Sequence, residues 1–143
     1  MNVRKMLYVL GLLLAVTIMV PTLHADDWNQ TTRFTFSQPV RIPGQVLPAG
    51  TYRFQLASTN NRHLVQIFRE DRTLAATLYS IPRVRQGHGT EVAITLANRG
   101  GTQPEAIVAW FFVGEAEGHE FLYPKAEKQE LAHSTHVTLV TGD

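Results

Sequence analysis

Histidines and carboxylates are the side chains of this chain best equipped for chemistry. Five histidines lie beyond residue 25: His63, His88, His119, His133 and His136. The tetrad "HSTH" sets His133 and His136 three residues apart. On a helix that spacing puts both imidazoles on one face, where a transition metal could bridge them; on a strand they point to opposite faces. The segment lies where helix formers give way to β-branched residues, so both geometries stay open. His119 and Glu120 could complete a ligand set, which makes His119, Glu120, His133 and His136 the candidate metal residues. His88, between Gly87 and Gly89, reads as an exposed turn residue.

Other reactive patterns are incomplete. Ser37, Ser58, Ser80 and Ser134 are the serines beyond the leader described below, and none sits in a Gly-x-Ser-x-Gly elbow. Glu115, Glu117 and Glu120 could supply paired carboxylates for sugar hydrolysis or hold calcium. Their Gly-bounded stretch reads instead as a solvated hairpin tip, and it lacks the Asp/Asn/Gly pattern of a calcium loop. The chain has no cysteine, which removes thiol catalysis, thiolate zinc sites, iron–sulfur clusters and disulfides together. No catalytic residue and no cofactor is assigned. Arg83 and Arg85 flank Val84, share one face of a strand, and could meet an anionic envelope component or guard a sheet edge from pairing. Tyr52, Tyr79, Trp110 and Tyr123 could line a groove for sugars or apolar ligands. Strand period assigns Trp110 with Phe112, and Phe121 with Tyr123, to the core instead.

The elements that must position these groups begin after a leader. "MNVRK" is basic, Met6 to Val20 is a 15-residue run without a charge, and "PTLHA" ends on a small residue. That order describes a secretory signal over residues 1–25, cut between Ala25 and Asp26. A run of 15 is short of the roughly 20 residues that a membrane-spanning helix needs. The remaining 118 residues make one domain, 26–143, whose core must hold without disulfide staples. Its charges are uneven: nine arginines against five acids from Asp26 to Arg99, then two lysines against seven acids. A molecule with a basic and an acidic part could self-associate or meet a charged partner, but strand pairing that mixes the halves into a neutral surface is the expectation. A domain that is not basic overall does not fit nucleic acid.

Period two dominates that domain. Phe34 and Phe36 alternate with Arg33 and Thr35; Tyr52, Phe54 and Leu56 with Thr51, Arg53 and Gln55; Val92, Ile94 and Leu96 share a face. "HLVQIFRE" and "LAATLYSI" read as a hairpin around a polar four-residue loop, Glu70 to Thr73. "RIPGQVLPAGTYRF" carries two Pro/Gly turns ahead of a strand. Pro43-Gly44 suits a type II turn, Gly50 a left-handed backbone, and Val46 and Leu47 are expected under the loop. A phosphate-cradling loop would lead into a helix, and this one leads into a strand. "PEAIVA" is expected to form a helical turn behind Pro104. Residues 125–133, behind Pro124, are expected to form a surface helix that covers the strand bearing Trp110, Phe111 and Phe112.

"FTFSQPVRIPGQVLPAGTYRFQL", "HLVQIFRED", "ATLYSIP", "PEAIVAWFF" and "GHEFLYPKAEKQELA" together resemble a family of small secreted bacterial β-rich proteins with no assigned activity. The resemblance implies an exported β domain and carries over no catalytic residue or ligand. "LPAGTYRFQL" also resembles the turn–strand unit of transthyretin-like and carboxypeptidase-regulatory-like sandwiches. The expectation is therefore an all-β protein: an antiparallel β-sandwich or partly open barrel of about eight short strands, with one short C-terminal helix. The function expected is that of a non-catalytic domain, periplasmic or extracellular, binding or packing against a protein or an envelope polysaccharide. The alternative is a hydrolase or metal-dependent protein built on the histidine/glutamate cluster.

Overall fold

Alternation in the sequence becomes alternation in burial. In β1 (Thr31–Phe36), Thr32, Phe34 and Phe36 are buried while Thr31, Arg33 and Thr35 face water. The computed structural model describes residues 31–58, 60–86 and 91–141, the last five through their backbone. The expected signal and the Gly87–Gly89 turn with His88 lie outside the described residues. After β1 come β2 (Val40–Ile42), β3 (Gln45–Leu47), β4 (Gly50–Ser58), β5 (Asn61–Arg69), β6 (Leu74–Val84), β7 (Val92–Asn98), β8 (Glu105–Phe111), β9 (Glu117–Phe121), α1 (Lys125–Ala132) and β10 (Thr135–Thr141).

Among the described residues the protein is all-β with one short helix, and its sheet is mixed and not closed into a barrel. The strands run in the order β1-β4-β5-β6-β9-β8-β2-β3, with β7 beside β8 and β10 beside β7. Strand β6 connects the two parts. Its residues Leu74 to Tyr79 pair with β5, and Ser80 to Val84 pair with β9. Pro82, which cannot donate to a ladder, falls in the second stretch, beyond the pairing with β5. The sheet folds over along this strand. Phe54 of β4 lies 6.1 Å from Trp110 of β8 and 6.5 Å from Phe121 of β9, strands with which β4 does not pair. The result is an open sandwich whose two layers share one core.

Phe34, Phe54, Ile67, Ile94, Ile107 and Trp110 are almost wholly buried in that core. Each such side chain stabilises the fold by about 1.5–3 kcal/mol. The Trp110 Nε1–H donates to Thr32 Oγ1 at 3.2 Å, so the polar edge of the indole is satisfied across the layers. A bulge in β8 lets two large groups face inward. Leu96 pairs with Ile107 and Thr95 with Ala109, leaving Val108 as the extra residue. Ile107 and Trp110, three apart, therefore both stand opposite residues of the core face, Leu96 and Ile94.

Several expectations change. "PEAIVA" is strand rather than helical turn: β8 lies between β7 on one side and β2 and β9 on the other, and Ile107 and Val108 suit that central ladder. Ten strands form among the described residues, because Pro43-Gly44 closes a hairpin of two three-residue strands, β2 and β3. Gly44 has φ +86°, as a type II turn requires. One pairing, β2 with β8, is parallel. Of the two apolar residues between the turns, Leu47 is buried but Val46 is exposed, since neighbours on a strand face opposite ways. Gly50 has φ +156° and opens β4 in place of a left-handed turn.

Helix α1 forms within a residue of the expected span. Leu131 is its buried residue. Two ion pairs fasten it: Arg41 grips Glu127 through Nε and a terminal nitrogen at 2.8 and 3.2 Å, and Arg99 Nε meets Glu130 at 3.2 Å. Just before the helix, the Tyr123 hydroxyl reaches the carbonyls of Ile107 and Arg41 at 2.8 and 3.1 Å. Burial raises the Tyr123 pKa above the ordinary phenol value, so it stays a donor.

Candidate functional site

Strand alternation separates the residues expected to share a metal. His119 and Glu120 are consecutive on β9, so their side chains take opposite faces. His119 faces the core, where its ring lies 5.4 Å from that of Trp110, its cross-strand partner. Glu120 faces outward and accepts from Arg83 at 3.3 Å. The helix ends at Ala132 before the first residue of "HSTH", with His133 as its C-cap, while His136 lies in β10. The helical geometry that would align the two imidazoles is therefore absent. His133 is exposed, and His136 Nε2 donates to the Leu131 carbonyl at 2.8 Å. Among the described residues, no three histidines or carboxylates gather at metal-binding range.

Alternation also creates two groupings. On the outer face, Glu120 and His136 line a small pocket of about 140 Å³ with Arg83 and Lys128, floored by Val108 and Leu131. Toward the core, His119 lines a pocket of about 280 Å³ with Arg62, His63 and Glu117. There His119 Nδ1 lies 3.3 Å from Ser80 Oγ, and that hydroxyl also lies 3.3 Å from the His63 carbonyl, to which it donates. Burial lowers the His119 pKa from 6.5 to about 4; the charges of Arg62 and His63 push the same way, while Glu115 and a hydrogen bond to the Arg62 backbone oppose it. At neutral pH His119 is an uncharged imidazole beside a buried hydroxyl. Ser80 is 3% exposed, too covered to attack a substrate, and its hydrogen bonds make it a brace between β5 and β9.

Arg83 and Arg85 part company. Arg83 is the ion-pair partner of Glu120. Arg85 Nε donates to the Glu115 carbonyl, and its terminal nitrogens donate to those of Glu91 and Phe112. The guanidinium carbon stands 5.1 Å from the centre of the Phe111 ring. Arg85, together with Gly118, covers Phe111; the helix expected in that role reaches the sheet near Val108 instead. The tyrosines and tryptophan expected to line a groove are divided as well. Tyr52, Trp110 and Tyr123 are buried, and Tyr79 is 67% exposed.

That exposed tyrosine marks the feature sequence reasoning missed. Tyr79 of β6 stands opposite Leu64 of β5, and its carbonyl accepts from the Leu122 N–H on its other side. Leu64, Tyr79 and Leu122 thus form a row across three neighbouring chain segments, with Ile81 next along β6 on the same face. Leu122 and Ile81 are 42% and 40% exposed. The signal was present in "LYSI", where both alternating sets contain apolar groups, but one strand cannot show that its neighbours add leucines beside it. A scan against protein-family models, a search of curated proteins and a search of solved structures each return no match.

Proposed function

We propose that this chain is an exported, non-catalytic binding domain that docks a protein partner through the Leu64–Tyr79–Leu122 row and Ile81. One observation carries the reading: Tyr79, Ile81 and Leu122 stand exposed on adjoining segments, beside a half-buried Leu64. Scattered surface leucines are ordinary, whereas a contiguous patch rimmed by charge marks an interaction surface. Arg83 and Glu120 supply that rim beside Ile81, which pairs with Glu120. Aliphatic neighbours favour a protein over a polysaccharide here, because leucine and isoleucine side chains offer a sugar no hydrogen-bonding groups.

The test places a photo-reactive phenylalanine analogue at Leu122 in the exporting cell, and at Gln55 on β4 as a control. A discrete adduct is expected from position 122 and not from position 55. A Tyr79→Ser, Ile81→Asn double variant should abolish that adduct with its melting temperature nearly unchanged, since both side chains are exposed. Absence of an adduct, equal labelling from both positions, or an adduct that survives the double variant would remove the reading.

A further inference from the structure

The parallel pairing of β2 with β8 sets two loops side by side. Val40 stands opposite Glu105 and Arg41 opposite Ala106. The β1–β2 loop (37–39) and the β7–β8 loop (99–104) therefore leave the sheet together and bound a cleft of about 430 Å³. That volume falls within the range of small-molecule sites, about 300–1,000 Å³. The second loop is held in shape by an Asn98 side chain that accepts from the Gly100 N–H at 2.8 Å.

The lining has a definite chemistry. Ser37, Gln38, Thr102 and Gln103 offer two hydroxyls and two primary amides, and none of these side chains has a hydrogen-bond partner among the described residues. Each group both donates and accepts. Glu105 adds one carboxylate, and among the described residues no lysine, arginine or histidine lines the cleft. Its apolar part is lined by Phe36 and Leu96, with Pro39 and Pro104. An anionic ligand would find no cation among those residues. A cation would find a single carboxylate and no cage. Alternating hydroxyls over a ring of C–H groups match both halves of the lining.

We propose that this cleft is a binding site for a neutral saccharide, with Gln38 and Gln103 as the principal hydrogen-bonding groups and Glu105 accepting from a pair of hydroxyls. The site shares no residue with the Tyr79 row, so either proposal can fail without the other. Backbone amide resonances of the isotope-labelled protein would be followed while tri-N-acetylchitotriose, maltotriose, glucuronate and glucosamine are added in turn. A neutral trisaccharide should shift residues 37–39 and 101–105. A Gln38→Ala, Gln103→Ala variant should weaken that binding about tenfold or more, with an unchanged melting temperature to show that the fold is intact. The proposal is overturned if no neutral sugar shifts these residues at about 10 mM, a concentration that reveals even very weak sites. It is equally overturned if only the charged sugars do so, or if the double variant binds as tightly as the parent.

Discussion

His119 is the titratable group whose surroundings most alter its behaviour. A neutral imidazole fits between Trp110 and Ser80, whereas an imidazolium there would be stripped of water and would face Arg62. Its pKa of about 4 when folded, against 6.5 for the ordinary group, means the unfolded chain binds the proton more readily. Stability should therefore rise with pH between about 4 and 6.5 and level off above, the contribution of this residue amounting to about 3 kcal/mol at most. His119→Gln keeps a polar partner for Ser80 but cannot titrate. Urea denaturation at a series of pH values should show a shallower slope for the variant across that window. An identical slope would mean that carboxylates alone set the acid limit of this protein.

The β8–β9 pair shows how neighbouring strands limit one another. Phe111 lies on the face opposite Trp110 and crosses directly over Gly118 of β9. A methyl group at Gly118 would run into the Phe111 ring and would lie 2.5 Å from the Trp110 carbonyl oxygen. The backbone atom cannot swing aside as a side chain would. Gly118→Ala should destabilise the fold by about 1–3 kcal/mol, the usual cost of overpacking, read as a lower midpoint in denaturant. Arg85 caps the same ring and supplies donors to three carbonyls of the flanking loops. Arg85→Lys retains the charge but loses the planar fork. It should cost about 1–3 kcal/mol, whereas an arginine held only by surface charge would tolerate lysine with little change.

Across the molecule, charge explains why the end of the chain stays docked. The first part of the domain is rich in arginine and the last part in glutamate. All three ion pairs among the described residues join the two: Arg41 with Glu127, Arg83 with Glu120, and Arg99 with Glu130. The asymmetry is thus spent internally, which disfavours reading it as a polar surface for a charged partner. The Arg41–Glu127 pair is the most sheltered, with two parallel contacts that link β2 to α1. Arg41→Glu should destabilise by about 1–3 kcal/mol through repulsion at this contact. Adding Glu127→Arg should restore part of that loss, as measured by thermal unfolding of the single and double variants. If the double variant is no better than the sum of the singles, the fork is not what seats the helix.

Period-two alternation identifies β1, β4, β7 and the β5–β6 hairpin, and Pro124 followed by helix formers identifies α1, because each depends on interactions within a few residues. Such local rules do not reach β8. There Pro104 and Ala106 favour a helical turn, and pairing on both sides of the strand overrides them. The site residues divide the same way. Alternation already implies that consecutive His119 and Glu120 oppose one another, yet nothing short of the folded sheet brings Ser80 to His119, Glu120 to Arg83, or Leu122 to Tyr79. Those contacts span tens of residues and depend on strand order. The chain itself specifies which side chains face inward on each strand; only the packed sheet decides which strands become neighbours, since many pairings satisfy the same alternation and one of them buries Trp110, Phe54 and Phe121 together.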